Sequence, residues 1–187
     1  MNMHKLVKVL ASAGIAATVV TSAHVASGDD GMNTVEAAES KNSNYKYQGD
    51  TGYGDGNFLL NDALIKTLEE DGDLAFNGHA IEASETDYEK RAKKKSEFVE
   101  EHDQKFTLRG GTATKVVFPI QEETLSIDEV TEAYGDDYEV KKDKDDKYET
   151  YVYKLGDQKD EAEKNVIAFK VENDFVTQGT IGYSSSY

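Results

Sequence analysis

Residues 125–135 run Leu125-Ser126-Ile127-Asp128-Glu129-Val130-Thr131-Glu132-Ala133-Tyr134-Gly135, and this stretch contains the signals for both ends of one helix. Ser126 and Glu129 form a capping box: the serine hydroxyl accepts from the amide three residues on, and the glutamate returns to the serine amide. Leu125 and Val130 stand where a hydrophobic staple closes the first turn. Ile127, Val130 and Tyr134 fall on one face, and Gly135 ends the helix after about two turns. Four strand-like segments follow: Tyr138–Lys141, Tyr148–Leu155, Asn165–Val171 and Phe175–Tyr183. Ile167, Phe169 and Val171 share one side of the third, Phe175, Ile181 and Tyr183 one side of the fourth, and Glu172-Asn173-Asp174 turns between them. The pattern predicts an α+β fold of short helices packed on an antiparallel sheet, with a helix followed by a four-stranded meander in the C-terminal half.

Toward the N-terminus the signals thin out. Gly110-Gly111 suits a hairpin turn between strands Lys105–Leu108 and Thr114–Ile120. The charged run Asp87–Glu101 places Tyr88, Ala92 and Val99 at one-face spacing and predicts a surface helix. Leu74–Ile81 predicts a strand bent or bulged at Asn77-Gly78. Asn61 caps a helix to about Glu70, with Leu60, Ala63, Leu64 and Leu68 on one face and Gly72 as its stop. Tyr45-Lys46-Tyr47 begins a strand, after which Gly49, Gly52, Gly54 and Gly56 form a loop. Helix followed by strands in this half loosely echoes the plan of the second half.

Met1 to Lys8 is a short positive segment, and Val9–Val20 is apolar except for Ser12, Gly14 and Thr18. This is the layout of a secretory signal, with small residues at two cleavable positions, Val25-Ala26-Ser27 and Val35-Glu36-Ala37. A membrane span needs about 20 apolar residues, and Thr21, Ser22 and His24 interrupt too early. The expected division is a signal peptide over 1–37, a flexible segment over 38–44 and a single α+β domain over 45–187. An exported part of about 150 residues can bury a core without staples. The chain has no cysteine, which removes disulfides, thiolate metal sites and a lipid-modified cysteine together. Its C-terminus, Gly182–Tyr187, carries no apolar tail, so the expected location is secreted, extracellular or loosely attached to the cell surface, with no membrane span in the mature form.

Catalytic and cofactor motifs are not expected. The glycines of 49–56 lack the following Lys-Ser or Lys-Thr of a phosphate loop, and no serine sits in G-x-S-x-G. His79 and His102 have no partner at metal-ligand spacing. With 37 Asp plus Glu, close carboxylate pairs carry no information about acid–base catalysis. Asp71-Gly72-Asp73 and Asp143–Asp146 lack the order of a calcium loop and read as solvated turns. No cofactor, no metal and no catalytic residue is expected. The one basic cluster is Lys90, Arg91, Lys93, Lys94 and Lys95, either a solvated helix face neutralised by Asp87, Glu89, Glu97, Glu100 and Glu101, or a contact surface for phosphates. Tyr45, Tyr47, Tyr53, Tyr148, Tyr151 and Tyr153 can stack bases if exposed, or pack across strands if not.

Four segments carry a family resemblance: Tyr45-Lys46-Tyr47-Gln48-Gly49, Gly56-Asn57-Phe58-Leu59-Leu60, Leu74-Ala75-Phe76-Asn77-Gly78, and the capped helix 125–135. In order and spacing, from about Tyr45 to Tyr183, the chain resembles the immunodominant staphylococcal antigen B family. The resemblance implies a secreted or surface-associated, virulence-associated and non-enzymatic binding protein, cleaved after Val35-Glu36-Ala37, that binds extracellular nucleic acid without sequence preference. It supplies no catalytic motif. The net charge of −16 drops only to about −15 without the signal, and such a field favours cationic partners. The alternative expectation is therefore an acidic protein-binding module for a cationic host or bacterial protein.

Overall fold

The computed structural model describes residues 44–51, 56–143 and 147–185; the expected signal segment 1–37, residues 38–43, residues 52–55 with Tyr53 among them, residues 144–146 and residues 186–187 lie outside the described residues. Along them run β1 (Asn44–Tyr47), α1 (Asp62–Glu69), β2 (Asp73–Phe76), β3 (His79–Ala80), α2 (Glu85–Arg91), β4 (Ser96–Glu101), β5 (Gln104–Arg109), β6 (Thr112–Pro119), α3 (Ile127–Tyr134), β7 (Glu139–Lys142), β8 (Glu149–Leu155), β9 (Asn165–Glu172) and β10 (Phe175–Ile181). The class is α+β, with short helices and a sheet-rich C-terminal half. α3 forms as its sequence dictates: the Ser126 hydroxyl accepts from the Glu129 amide at 3.3 Å, and Glu129 Oε2 accepts from the Ser126 amide at 2.9 Å.

β4 to β10 make one seven-stranded sheet in the order β4-β5-β6-β10-β9-β8-β7, every neighbouring pair antiparallel. It joins two meanders, β4-β5-β6 and the expected β7-β8-β9-β10, along the β6–β10 seam. β1, β2 and β3 make a small second sheet in which β1 and β2 are parallel. Parallel neighbours need a long crossover, and the segment holding α1 supplies it.

The register sorts residues into rows across the large sheet. One row, Phe106-Val116-Ile181-Ile167-Tyr153, faces the core, and every member is buried. On the same face Phe118 meets Phe58 and Phe76, with ring centroids 5.0 Å apart in both pairs, and so seats the small sheet. Tyr134 of α3 stacks near Tyr153 and Phe169, both at 5.3 Å, and donates its hydroxyl to the Leu59 carbonyl at 2.5 Å. Gly179 lies opposite Phe118, and a Cβ there would run into the Leu59 side chain. The neighbouring rows, Lys105-Val117-Thr180-Ala168-Val152-Glu139 and Pro119-Gln178-Lys170-Thr150-Lys141, face outward.

Four local expectations are corrected. Asp87–Glu101 is not one helix: Ser84 caps α2, which ends at Arg91, and Ser96–Glu101 is the edge strand β4. Pairing of all six β4 residues with β5 outweighs a helical spacing that rested on three residues. Leu74–Ile81 is a hairpin: Asn77 and Gly78, both at positive φ, form its two-residue turn and bring His79 opposite Phe76. α1 ends through Asp71, at φ 55, and Gly72 donates back to the Thr67 carbonyl at 2.8 Å, so the aspartate takes the left-handed position expected of glycine. Finally, a bulge between Val176 and Gln178 shifts β10 by one residue, so Val176 shares the inner face with Ile181 and Phe175 does not.

Candidate functional site

The five cations of the basic cluster lie at the end of α2 and in the turn to β4. Ser84 accepts from the Asp87 amide, which sets Asp87 one turn ahead of Lys90 and gives a 2.9 Å ion pair. That hydrogen bond raises the Lys90 pKa. Arg91 grips Glu82 with two nitrogens, one of them at 2.6 Å, and the same contact holds the guanidinium pKa up. Lys95 pairs with Glu97 at 3.2 Å. Lys93 and Lys94 have no ion-pair partner among the described residues, and the Lys94 stem lies over Gly110. The cluster is thus divided, with three cations neutralised and two open.

Arg109 extends the open part. It donates to the Ala92 carbonyl at 3.2 Å and to the Tyr88 hydroxyl at 3.3 Å, and its guanidinium stands 4.7 Å from the Tyr88 ring centre. Tyr88 in turn meets Tyr183, which packs on Val152, Val166 and Ala168 of the outward sheet face. The turn at 93–94 therefore borders the outer face of the large sheet.

That face carries a signal the contiguous sequence conceals. Outward positions hold Lys105, Lys115, Lys141, Lys154 and Lys170, against Glu100, Glu139 and Glu172. Glu100 pairs with Lys105 at 3.3 Å and Glu139 with Lys141 at 3.7 Å, while Glu172 is engaged by Lys147 at 3.1 Å. Lys115 and Lys170 have no ion pair among the described residues; both line a cleft of about 210 Å³ with Tyr148, Thr150, Gln178 and Thr180. In a chain of net charge −16 this is a local excess of positive charge. Only alternation within separate strands, added up through their register, would have exposed it.

Of the tyrosines considered for stacking, Tyr45, Tyr47 and Tyr153 are buried in the core. Burial pushes the Tyr45 hydroxyl up to about 12, and raises Tyr153 and Tyr134 further. Tyr148 is half-buried, with the Lys170 ammonium 3.7 Å and the Lys147 ammonium 4.6 Å from its ring centre. His79 contacts Glu101 at 3.0 Å and His102 contacts Asp50 at 3.3 Å. Among the described residues no group of three His, Cys, Asp or Glu is placed to hold a metal, and no helix is long and apolar enough to cross a membrane.

No curated protein and no solved structure matches the chain. A family model, immunodominant staphylococcal antigen B, matches residues 44–181, from β1 through the last residue of β10, and the chain belongs to that family.

Proposed function

We propose that the protein is an exported, non-enzymatic binding protein that captures extracellular nucleic acid through its phosphates, without reading sequence. Residues 1–37 act as the secretory signal, and the exported chain remains outside the cell or loosely on its surface, where a virulence role would be exercised. The observation that carries the ligand class is the charge of the outer sheet face, where five outward lysines, two of them paired with Glu100 and Glu139, outnumber three glutamates within a strongly acidic chain. Lys93, Lys94 and Arg109 continue that surface at one end, while Lys90, Arg91 and Lys95 are held by acids and contribute less. Phosphate contacts of this kind give affinity without base discrimination.

The alternative, an acidic surface for a cationic protein, has one feature in its favour. A groove beneath β2 and β3 gathers Asp71, Asp73, Glu82 and Asp87. Glu82 and Asp87 are already committed to Arg91 and Lys90, which weakens its pull on a basic partner. The deciding experiment is retention of the purified chain on random-sequence DNA at low salt, with loss of retention as salt rises. Absence of retention at low salt removes the nucleic-acid reading, and a salt-sensitive complex with a basic protein would then replace it.

A further inference from the structure

The cleft on the outer sheet face has more than charge. Ala168 and Thr180 form its floor and are nearly inaccessible although they face outward, so the site is recessed between longer neighbours. Lys115 and Lys170 stand toward opposite ends. Lys170 lies opposite Gln178 on β10, and Lys115 follows the Val116–Ile181 pair, so strand spacings put their Cα atoms about 16 Å apart. The Tyr148 ring, 3.7 Å below the Lys170 ammonium, holds that cation at the rim by a cation–π contact. Between the lysines, the Thr180 hydroxyl accepts from the Gln178 side-chain amide at 3.2 Å and, among the described residues, donates to no group. Its proton is left for a ligand oxygen. Among the described residues one carboxylate lines the cleft, Asp143, which accepts from the Lys147 amide at 3.1 Å.

We infer that this cleft is a seat for an anion with at least two linked phosphoryl groups, held at its ends by Lys115 and Lys170 and in the middle by the Thr180 hydroxyl. With the Lys170 ammonium drawn onto the Tyr148 ring, on the side of β9 away from Lys115, a lone phosphate meets one cation at a time, whereas a run of phosphoryl groups spans both. Two sources share this chemistry, the backbone of a nucleic acid and free polyphosphate. The inference deepens the nucleic-acid reading by giving the backbone a defined landing place.

The test compares the wild-type chain, a Lys115→Gln/Lys170→Gln variant and a Lys66→Gln/Lys159→Gln variant with the same change in charge. Melting temperature is recorded with inorganic tripolyphosphate and with orthophosphate at matched ionic strength, and DNA retention is measured in parallel. Tripolyphosphate is expected to raise the melting temperature of the wild type and the control by several degrees, orthophosphate much less, and neither to move the cleft variant. DNA affinity of the cleft variant is expected to fall severalfold below the control, and its log–log salt slope on single strands to flatten by about 1.4, the loss of two phosphate contacts. A wild type that answers tripolyphosphate but is not retained by DNA supports the seat and removes the nucleic-acid reading. Equal DNA retention by both variants, with no response to tripolyphosphate, overturns the seat and leaves that reading standing. An orthophosphate response as large as that to tripolyphosphate overturns the spanning geometry.

Discussion

Gly182 shows how one residue holds the seam between the two meanders. Its φ is +113°, and a Cβ there would meet the Lys115 Cα at 2.9 Å and run into the Thr114 carbonyl. Gly78 has a comparable φ of +81°, but nothing lies within 4 Å of the position its Cβ would take. Gly78→Ala should therefore cost only backbone strain, about 1 kcal/mol, whereas Gly182→Ala adds a collision with backbone that cannot yield and should cost at least about 3 kcal/mol. Urea unfolding of the two variants checks this, and equal losses would show that β6 shifts freely. Buried tyrosines set a second expectation. Tyr45 titrates near 12 in the fold against 10 in the unfolded chain, and Tyr134 and Tyr153 are raised as well, all chiefly by burial. A raised folded-state value means the unfolded chain loses its proton first, so the contribution of these residues is complete below pH 10 and declines as pH rises through 10 toward 12. Melting temperature should fall steeply above pH 10, and Tyr45→Phe should make the fall shallower; an unchanged slope would mean Tyr45 ionises without unfolding.

At the level of elements, α3 is a local object, and that is why its sequence reveals it so fully. Its cap, staple and stop all lie within eleven residues, and Ser126, Glu129 and Gly135 perform the roles their spacing implies. Ser126→Ala should cost about 1 kcal/mol. The Ser126 hydroxyl and amide hold the Glu129 carboxyl below its ordinary value, so this contribution is present above the ordinary glutamate range and is lost as pH falls through the lowered folded value. The gap between wild type and Ser126→Ala should thus narrow in acid, read from melting curves across the acidic range; a constant gap would detach Glu129 from the cap. The C-terminal meander is legible for a related reason, since β7 to β10 pair in sequence order and alternate in two-residue steps. Elements whose partners are distant are not. β4 carries Phe98 outward at 81% exposure and has one neighbour only, so its sequence lacks the alternation of a half-buried strand and its lysine-rich approach looks helical. The bulge at Val176 is equally silent, because a one-residue shift leaves no mark until β9 supplies the register.

For the molecule as a whole, the legible and hidden parts of the candidate surface follow from how charge is summed. The run 90–95 is conspicuous in the sequence because its cations are adjacent, yet Asp87, Glu82 and Glu97 neutralise three of them. Lys105, Lys115, Lys141, Lys154 and Lys170 are scattered over 66 residues and become neighbours only when seven strands are placed in order. On the proposed nucleic-acid reading, salt should act in opposite directions on folding and on binding. A net charge of −16 strains the compact state by self-repulsion, and the exposed ion pairs that salt also screens, such as Lys66–Glu70 at 3.6 Å, hold little stability individually. Screening should therefore stabilise the fold by about 1 kcal/mol, or roughly 2–4 °C in melting temperature. Binding should do the reverse: five lysine–phosphate contacts on duplex DNA give a log–log slope of about −4.5, so that raising salt from about 50 to 200 mM weakens the complex roughly 500-fold. Melting and DNA retention measured on one salt series test both signs together. A melting temperature that falls with salt would mean attractive charge pairs dominate the fold, and a flat DNA response would mean that the outer face is not where phosphates land.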